Sequence, residues 1–272
     1  MAKLIINGKS DTALKAYMDG QEVNSVMAGG VPAYTRMTAE EEPAPPTPTG
    51  PDYLCFTANT GGSTIRMQEF GATGFTPLIY VSTDDKQTWT QWDLSAITLA
   101  NAGDKVYMKG TNDRLAAHGS ADWEFNMTGS IAASGDLTTL LDENGTDTLA
   151  YQFTFSYLFY DCTSLTTAPD LPATTLAASC YASMFRGCTS LTTAPELPAT
   201  TLAGSCYQAM FMGCHSLSSV KIAAMQWDTV DGSYWLNGTA NVGVIYAPTG
   251  SDIANYRDNF SGVPFGWTVQ YY

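Results

Sequence analysis

The sequence predicts a mainly β protein with short helices. Its expected parts are an N-terminal β mini-module, a β-sandwich and a short solenoid of repeats with caps. Three observations carry this expectation. Short apolar runs alternate with Gly, Asn and Asp punctuation through the first half. A proline- and acid-rich stretch separates the first residues from the rest. A nearly verbatim repeat then steps along the chain every 26 residues: "CTSLTTAPDLPATTLAASC" at 162–180 returns as "CTSLTTAPELPATTLAGSC" at 188–206.

Residues 1–38 carry three short apolar stretches broken at Asn7-Gly8, Asp19-Gly20 and Gly29-Gly30. Such dipeptides tolerate positive φ and suit two-residue hairpin turns. The expected element is a small β-meander, too short to bury its own core, which needs a partner surface. Residues 39–51, within "AEEEPAPPTPTGP", exclude helix and sheet and are expected to form an extended spacer. Residues 52–127 carry strand signals such as "YLCFTAN", "STIRMQEF" and "PLIYVSTD", and are expected to form an antiparallel sandwich. Within them "STDDKQTW" resembles the Asp-box hairpin S-x-D-x-G-x-T-W of sialidases and related β-proteins, with Lys86 where that pattern has Gly. The resemblance implies a structural turn capped by Asp84, with Trp89 packed below it.

The repeats occupy 128–222, with a C-terminal cap expected over 223–272. Phe159, Phe185 and Phe211 align, as do Cys162, Cys188 and Cys214, and Leu165, Leu191 and Leu217; Cys180 recurs at Cys206. The period lies within the 20–29 residues of a leucine-rich-repeat coil. Tyr181, Met184, Phe185 and Cys188 fall at i, i+3, i+4 and i+7, the spacing of one face of a short helix. One coil cannot bury its apolar edge alone, whereas stacked coils can. Equivalent cysteines should therefore form interior columns and act as small hydrophobes. Inter-coil disulfides are a second possibility. A zinc site is a remote third, because Cys180 and Cys188 are eight residues apart and zinc sites pair cysteines at C-x₂₋₄-C. On this reading Cys188→Ser would leave an unmatched buried hydroxyl.

The wording of these repeats, "CYASMFRGCTSLTTAPELPATTLAGSCYQAMFMGCHSL", resembles BspA-type leucine-rich repeats of surface proteins from gut Bacteroidales and their phages, over about residues 151–220. "MTGSIAASGDLTTLL" and "SGVPFGWTVQ" are similar to the lead-in and closing segments of such arrays. The resemblance implies adhesion to protein or glycan, not catalysis. The first residues more weakly resemble short virion-anchoring modules of tailed phages.

Composition bounds the partners. The 272 residues carry a net charge of −14, 44% hydrophobic residues and only 14% charged residues, which is low for a cytosolic enzyme. Acidity disfavours nucleic acid and anionic membrane surfaces as partners. From Ala116 onward the only Lys or Arg residues are Arg186, Lys221 and Arg257. "MAKLIINGKSDT" has no signal-peptide h-region, and no run reaches the ~18 apolar residues of a membrane-spanning helix. The two histidines, His118 and His215, lie in no catalytic motif, and P-loop, G-x-S-x-G and G-x-G-x-x-G patterns do not occur. Asp84, Asp85, Asp142 and Glu143 read as loop acids. Trp123, Trp227, Trp235 and Trp267 read as core residues, with sugar stacking as the alternative.

The expectation is therefore a non-enzymatic virion structural protein without cofactor or metal: a capsid or head fibre, or a similar appendage. It would be anchored through residues 1–38 to capsid or other virion proteins, and assemble as a homotrimer on the virion surface. It would display its repeats to host-surface or mucosal glycans or proteins. The expected contact strip stacks Thr166, Thr167 and Asp170 over Thr192, Thr193 and Glu196. A bacterial cell-surface adhesin is the second reading and a virion glycan-cleaving enzyme the third.

Overall fold

The computed structural model describes residues 4–7, 15–18, 21–23, 52–71, 73–118, 121–228 and 230–272. The spacer expected at 39–51 lies outside them, as do the turn glycines expected near the start. The chain divides into two compact units, 1–49 and 50–272. In the first, β1 (Leu4–Asn7), β2 (Lys15–Met18) and β3 (Gln21–Val23) form an antiparallel three-stranded sheet in chain order. Leu4 lies opposite Met18 and Ala16 opposite Val23.

The second unit is mainly β, with no long helix among the described residues, and it contains a solenoid-like region. Its strands are β4 (Leu54–Ala58), β5 (Ser63–Phe70), β6 (Ile79–Ser82), β7 (Thr90–Gln91), β8 (Ile97–Leu99), β9 (Lys105–Gly110), β10 (Ala116–His118), β11 (Ala121–Thr128), β12 (Ile131–Ser134), β13 (Leu165–Thr167), β14 (Thr193–Leu197), β15 (Ser219–Ile222), β16 (Gly243–Ala247) and β17 (Trp267–Tyr271). One sheet runs β10-β11-β5-β8, and a larger one runs β13-β12-β4-β9-β6-β7. Period-two alternation places Ile65 and Met67 of β5, Leu54 and Phe56 of β4, and Val106 and Met108 of β9 in the buried cluster. Phe56 meets Phe125 of β11 edge to face, with centroids 5.1 Å apart.

The coils grow directly from these sheets. Leu115, Phe125 and Ile131 donate backbone hydrogen bonds to Thr154, Leu158 and Ser164, and β12 pairs in parallel with β13. Further on, β14, β15, β16 and β17 form a parallel sheet in chain order, with Ser219 opposite both Thr193 and Val244, and Val244 opposite Thr268. The ladder crosses residue 222 without a break, and the buried cluster runs continuously from Leu54 to Trp267. Pro195 sits in β14 where the register slips between Thr193 and Glu196, consistent with its missing donor.

The segment expected to be helical is not. Tyr181, Met184, Phe185 and Cys188 are all buried together, but residues 181–187 are successive turns. The reason is where the N–H groups go. Tyr181, Ser183, Phe185 and Gly187 donate to Cys206, Gln208, Met210 and Met212 of the next coil, at 3.1, 2.8, 2.9 and 2.8 Å. The intervening Ala182, Met184, Arg186 and Cys188 donate three residues back. An α-helix directs its interior N–H groups along its own axis and leaves none for a neighbour. The alternating pattern uses the left-handed region every fourth residue: Ser179, Ser183 and Gly187 have φ of 55°, 55° and 79°, and Phe153, Tyr157 and Asp161 in the preceding coil have 61°, 59° and 52°. Each non-glycine residue there costs about 1–2 kcal/mol, which the inter-coil hydrogen bonds and the aromatic stack offset.

That stack is a column of rings. Phe125, Phe159, Phe185 and Phe211 follow one another at centroid distances of 5.2, 5.3 and 5.6 Å, the last pair parallel to within 1°. A second column runs Phe155, Tyr181, Tyr207 at 6.0 and 6.3 Å. Leu165, Leu191 and Leu217 are fully buried beside them.

The cysteine columns complete the interior. All six thiols are free and buried. Cys162, Cys188 and Cys214 each donate through Sγ to the carbonyl of Phe125, Phe159 and Phe185, at 3.1, 3.0 and 3.0 Å. Burial pushes the Cys206 and Cys214 thiols up to about 12 and those of Cys180 and Cys188 well above their ordinary range. A thiol reagent at mildly alkaline pH should therefore find essentially no reactive group in the folded protein and six in denaturant; a reproducible shortfall in denaturant would reveal disulfides.

The hydrogen bond to Phe159 corrects the expectation for Cys188→Ser. The new hydroxyl would have a partner. The expected cost is about 1 kcal/mol in urea melts, from lost apolar contact, without the further ~1–3 kcal/mol of leaving a buried polar group unmatched.

Candidate functional site

The expected strip is only partly assembled. Thr166 and Thr167 lie on β13, in the larger sheet, whereas Thr193 and Glu196 lie on β14, at the edge of the parallel sheet. No ladder joins β13 to β14 among the described residues. The hydroxyls of Thr166 and Thr167 donate to Ile131 and Ala133 carbonyls, both at 3.0 Å. Glu196 holds Lys221 at 2.8 Å. Asp170 is exposed, and its carboxyl is pushed up by partial burial and by the neighbouring Asp52, Asp136 and Glu196. Thr192 and Thr193 are exposed.

The tryptophans considered for sugar stacking are core residues. Trp123, Trp227, Trp235 and Trp267 are buried, and each indole N–H donates to protein: Phe75, Ser261, Gly262 and Ala240 carbonyls at 2.9, 2.8, 2.8 and 2.8 Å. The loop acids are occupied as well. Asp85 accepts from the Tyr107 hydroxyl at 2.9 Å, Asp142 from the Asn144 amide at 2.9 Å, and Glu143 pairs with Lys109 at 2.8 Å. His215 is exposed and its Nδ1 lies 2.7 Å from the Gly238 carbonyl.

The "STDDKQTW" turn has the geometry its residues suggest. Asp84 accepts from the Thr88 hydroxyl and amide at 2.5 and 2.9 Å and from the Ser82 hydroxyl at 2.7 Å. Lys86 stands at φ 69°, where the Asp-box pattern has Gly. The Thr88 hydrogen bonds, led by that of its hydroxyl, hold the Asp84 carboxyl down to about 2. Because the folded value is depressed, its contribution is present above the ordinary carboxyl range and disappears as pH falls through about 2. The Thr88 amide resonance should accordingly titrate with a midpoint near 2; a midpoint near 4 would contradict the cap. Trp89 is half-buried beside Tyr53, with Lys109 Nζ 4.8 Å above its ring.

Three concavities have charged residues in their lining. One, of about 320 Å³, is lined by Tyr80, Trp89, Lys109 and Glu143. Its charges are already paired and its cation already covers the tryptophan. The second, of about 660 Å³, holds Asp228, Asp231 and Asp252. These carboxylates accept from the backbone amides of Val230, Ser205 and Trp227 at 2.6, 3.0 and 2.7 Å, the first as a local turn cap and the other two between coils. Among the described residues no group of three or more His, Cys, Asp or Glu is placed to hold a metal.

The third is a groove of about 300 Å³ along the turn face of the coils. Its long column is Tyr157, Ser183, Ala209 and Tyr234, all left-handed, at φ 59°, 55°, 50° and 59°. Large residues stand in the outer coils and small ones in the two middle coils, so a slot opens between the tyrosines. Two coil spacings separate neighbouring-but-one residues; by strand spacing the tyrosines stand about 14 Å apart. Arg186 and Gln208 line the slot. Ser183 is only 4% exposed and lines the groove, and among the described residues its hydroxyl has no hydrogen-bond partner. Among the described residues the ion pairs are Lys109–Glu143 and Lys221–Glu196, so Arg186 has none; it rests 5.6 Å over the Tyr160 ring.

Apart from Arg186, noted only as one of the few basic residues after Ala116, none of these groove residues figures in the sequence reading. A signal was present in the repeat alignment. The columns 157/183/209 and 160/186/212 read Tyr/Ser/Ala and Tyr/Arg/Met, while the Phe and Cys columns between them never change. No protein-family model, curated protein or solved structure matches the chain.

Proposed function

We propose that the chain is a non-catalytic virion protein with BspA-type leucine-rich repeats. On this reading it is a capsid or head fibre, or a similar appendage, attached through residues 1–38 to other virion proteins and assembled as a homotrimer. Residues 52–127 are its sandwich, and the coils, closed by a C-terminal cap, are the display element that contacts host-surface or mucosal material.

The observation that supports display is the division of labour within the repeat. The Phe column 159/185/211 and the Cys column 162/188/214 repeat residue for residue and are buried, whereas the columns 157/183/209 and 160/186/212 change from coil to coil and supply residues that line the turn-face groove. Solenoids present such extended surfaces as contact faces.

Mass spectrometry of purified particles, with sedimentation of the isolated chain, tests the reading. The chain should be present in particles at a fixed stoichiometry and sediment as a trimer. Its absence from particles together with presence in a bacterial envelope fraction would replace the virion reading with a cell-surface adhesin.

A further inference from the structure

The groove's chemistry narrows what it holds. Its floor offers no backbone to a ligand strand. Ser183 and Ala209 donate their N–H groups to Gln208 and Ser233 carbonyls at 2.8 and 2.7 Å, and Ala182 and Gln208 donate back to Ser179 and Ser205, both at 3.1 Å. A peptide added as an extra strand needs such groups free. The groups left are side-chain ones: the Ser183 hydroxyl, the Gln208 amide and the Arg186 guanidinium. At the ends stand two phenol rings, Tyr157 and Tyr234, whose flat apolar faces suit the C–H faces of a sugar ring. The volume, about 300 Å³, lies at the small end of ligand pockets and suits one or two sugar rings.

Charge sharpens the choice. On a chain of net charge −14, the guanidinium in this groove has no ion-pair partner among the described residues. Asp161, which lies against Gly187 in the neighbouring coil, does not pair with it. An arginine fork matches a carboxylate in a bidentate manner. One cation within an acidic surface suits a ligand with one negative charge, not a densely sulfated polymer.

Resting on the display reading above, we propose that this groove binds a short glycan with a carboxylate-bearing sugar. The carboxylate meets Arg186, the ring lies between Tyr157 and Tyr234, and Ser183 and Gln208 bond its hydroxyls.

Saturation-transfer NMR titrations of the full chain with methyl glucuronide, methyl glucoside and glucose 6-sulfate test this. The glucuronide should bind about tenfold or more tighter than the glucoside, as expected for one charge-assisted hydrogen-bond pair. Arg186→Gln should abolish that preference. Ser183→Tyr should remove binding of both, by filling the slot. Its column already accepts tyrosine at φ 59° in two coils, and an unchanged thermal melt would confirm that the variant folds; Gln208→Ala, expected to weaken both sugars, is the second variant. Equal binding of glucuronide and glucoside, or a preference that survives Arg186→Gln, would overturn the assignment. So would equal binding of the sulfate, which would make the site a general oxyanion site. Retention of the full chain on host cells, measured in parallel, separates the two readings. Retention without any sugar binding removes the ligand assignment and leaves display standing, whereas loss of both removes display as well.

Discussion

Phe185→Ala is expected to lower the stability of the unit spanning 50–272 by about 4 kcal/mol, the range found for deleting a buried phenylalanine. Phe185 is fully buried. It sits between Phe159 and Phe211 at 5.3 and 5.6 Å, in near-parallel stacking on both sides. Its removal therefore opens a cavity and breaks two ring contacts at once. Phe185→Leu, which keeps most of the volume, should cost less than about 2 kcal/mol. The column continues through Phe159 to Phe125 on β11, so sheets and coils share one core. Urea unfolding followed by tryptophan fluorescence and by far-ultraviolet circular dichroism should give coincident midpoints in both variants. The indoles sample both regions, Trp92 and Trp123 in the first and Trp227, Trp235 and Trp267 in the last. A loss below about 1.5 kcal/mol for Phe185→Ala, or separated midpoints, would contradict a single continuous core.

Gly135→Ala is expected to cost about 3 kcal/mol, the sum of a left-handed penalty and a backbone clash. Gly135 has φ +76°, and a β-carbon there would stand 2.2 Å from the Tyr53 carbonyl oxygen. That oxygen belongs to backbone and has little freedom to yield. The site is a junction: Asp136 donates to Asp52 at 2.6 Å, and Asp170 donates to Gly135 at 2.9 Å. The start of the sheets and the first coil thus meet on this residue. Gly62→Ala is the control. Its φ is +79°, but a β-carbon there meets nothing within 4 Å, so only the conformational cost of about 1–2 kcal/mol is expected. Similar losses for the two variants in urea melts would show that close packing at Gly135 is not what holds the junction.

The contrast between these two residues shows what a sequence makes legible. Phe185 could be placed in the interior beforehand, because its column recurs every 26 residues and stacking is the only way to bury it. Gly135 could not. Nothing local marks it apart from Gly129 or Gly145, and its role depends on Tyr53, which is 82 residues away along the chain and reaches it only after the sheets close. The helical expectation over Tyr181 to Cys188 failed for a related reason. The i, i+3, i+4, i+7 pattern reports which side chains face inward, and all four do. It does not report whether the N–H groups bond within the segment or across to a neighbour, and here half of them cross.

The candidate site follows the same division. Stacked cysteines, phenylalanines and leucines were readable from periodicity alone, because identical residues one period apart must lie above one another in any solenoid. The groove was not, since it depends on the left-handed turns at Tyr157, Ser183, Ala209 and Tyr234 and on the contacts that bring their coils together. Sequence by itself determined the repeat, its buried columns and the mainly β character. Those follow from local pattern and from the need to bury apolar surface. Only the tertiary structure decided that the coils continue past residue 222, that Trp123, Trp227, Trp235 and Trp267 face inward, and that an arginine with no ion-pair partner among the described residues shares a slot with two tyrosines. These depend on hydrogen bonds and contacts between residues far apart in the chain, which no short stretch of sequence specifies.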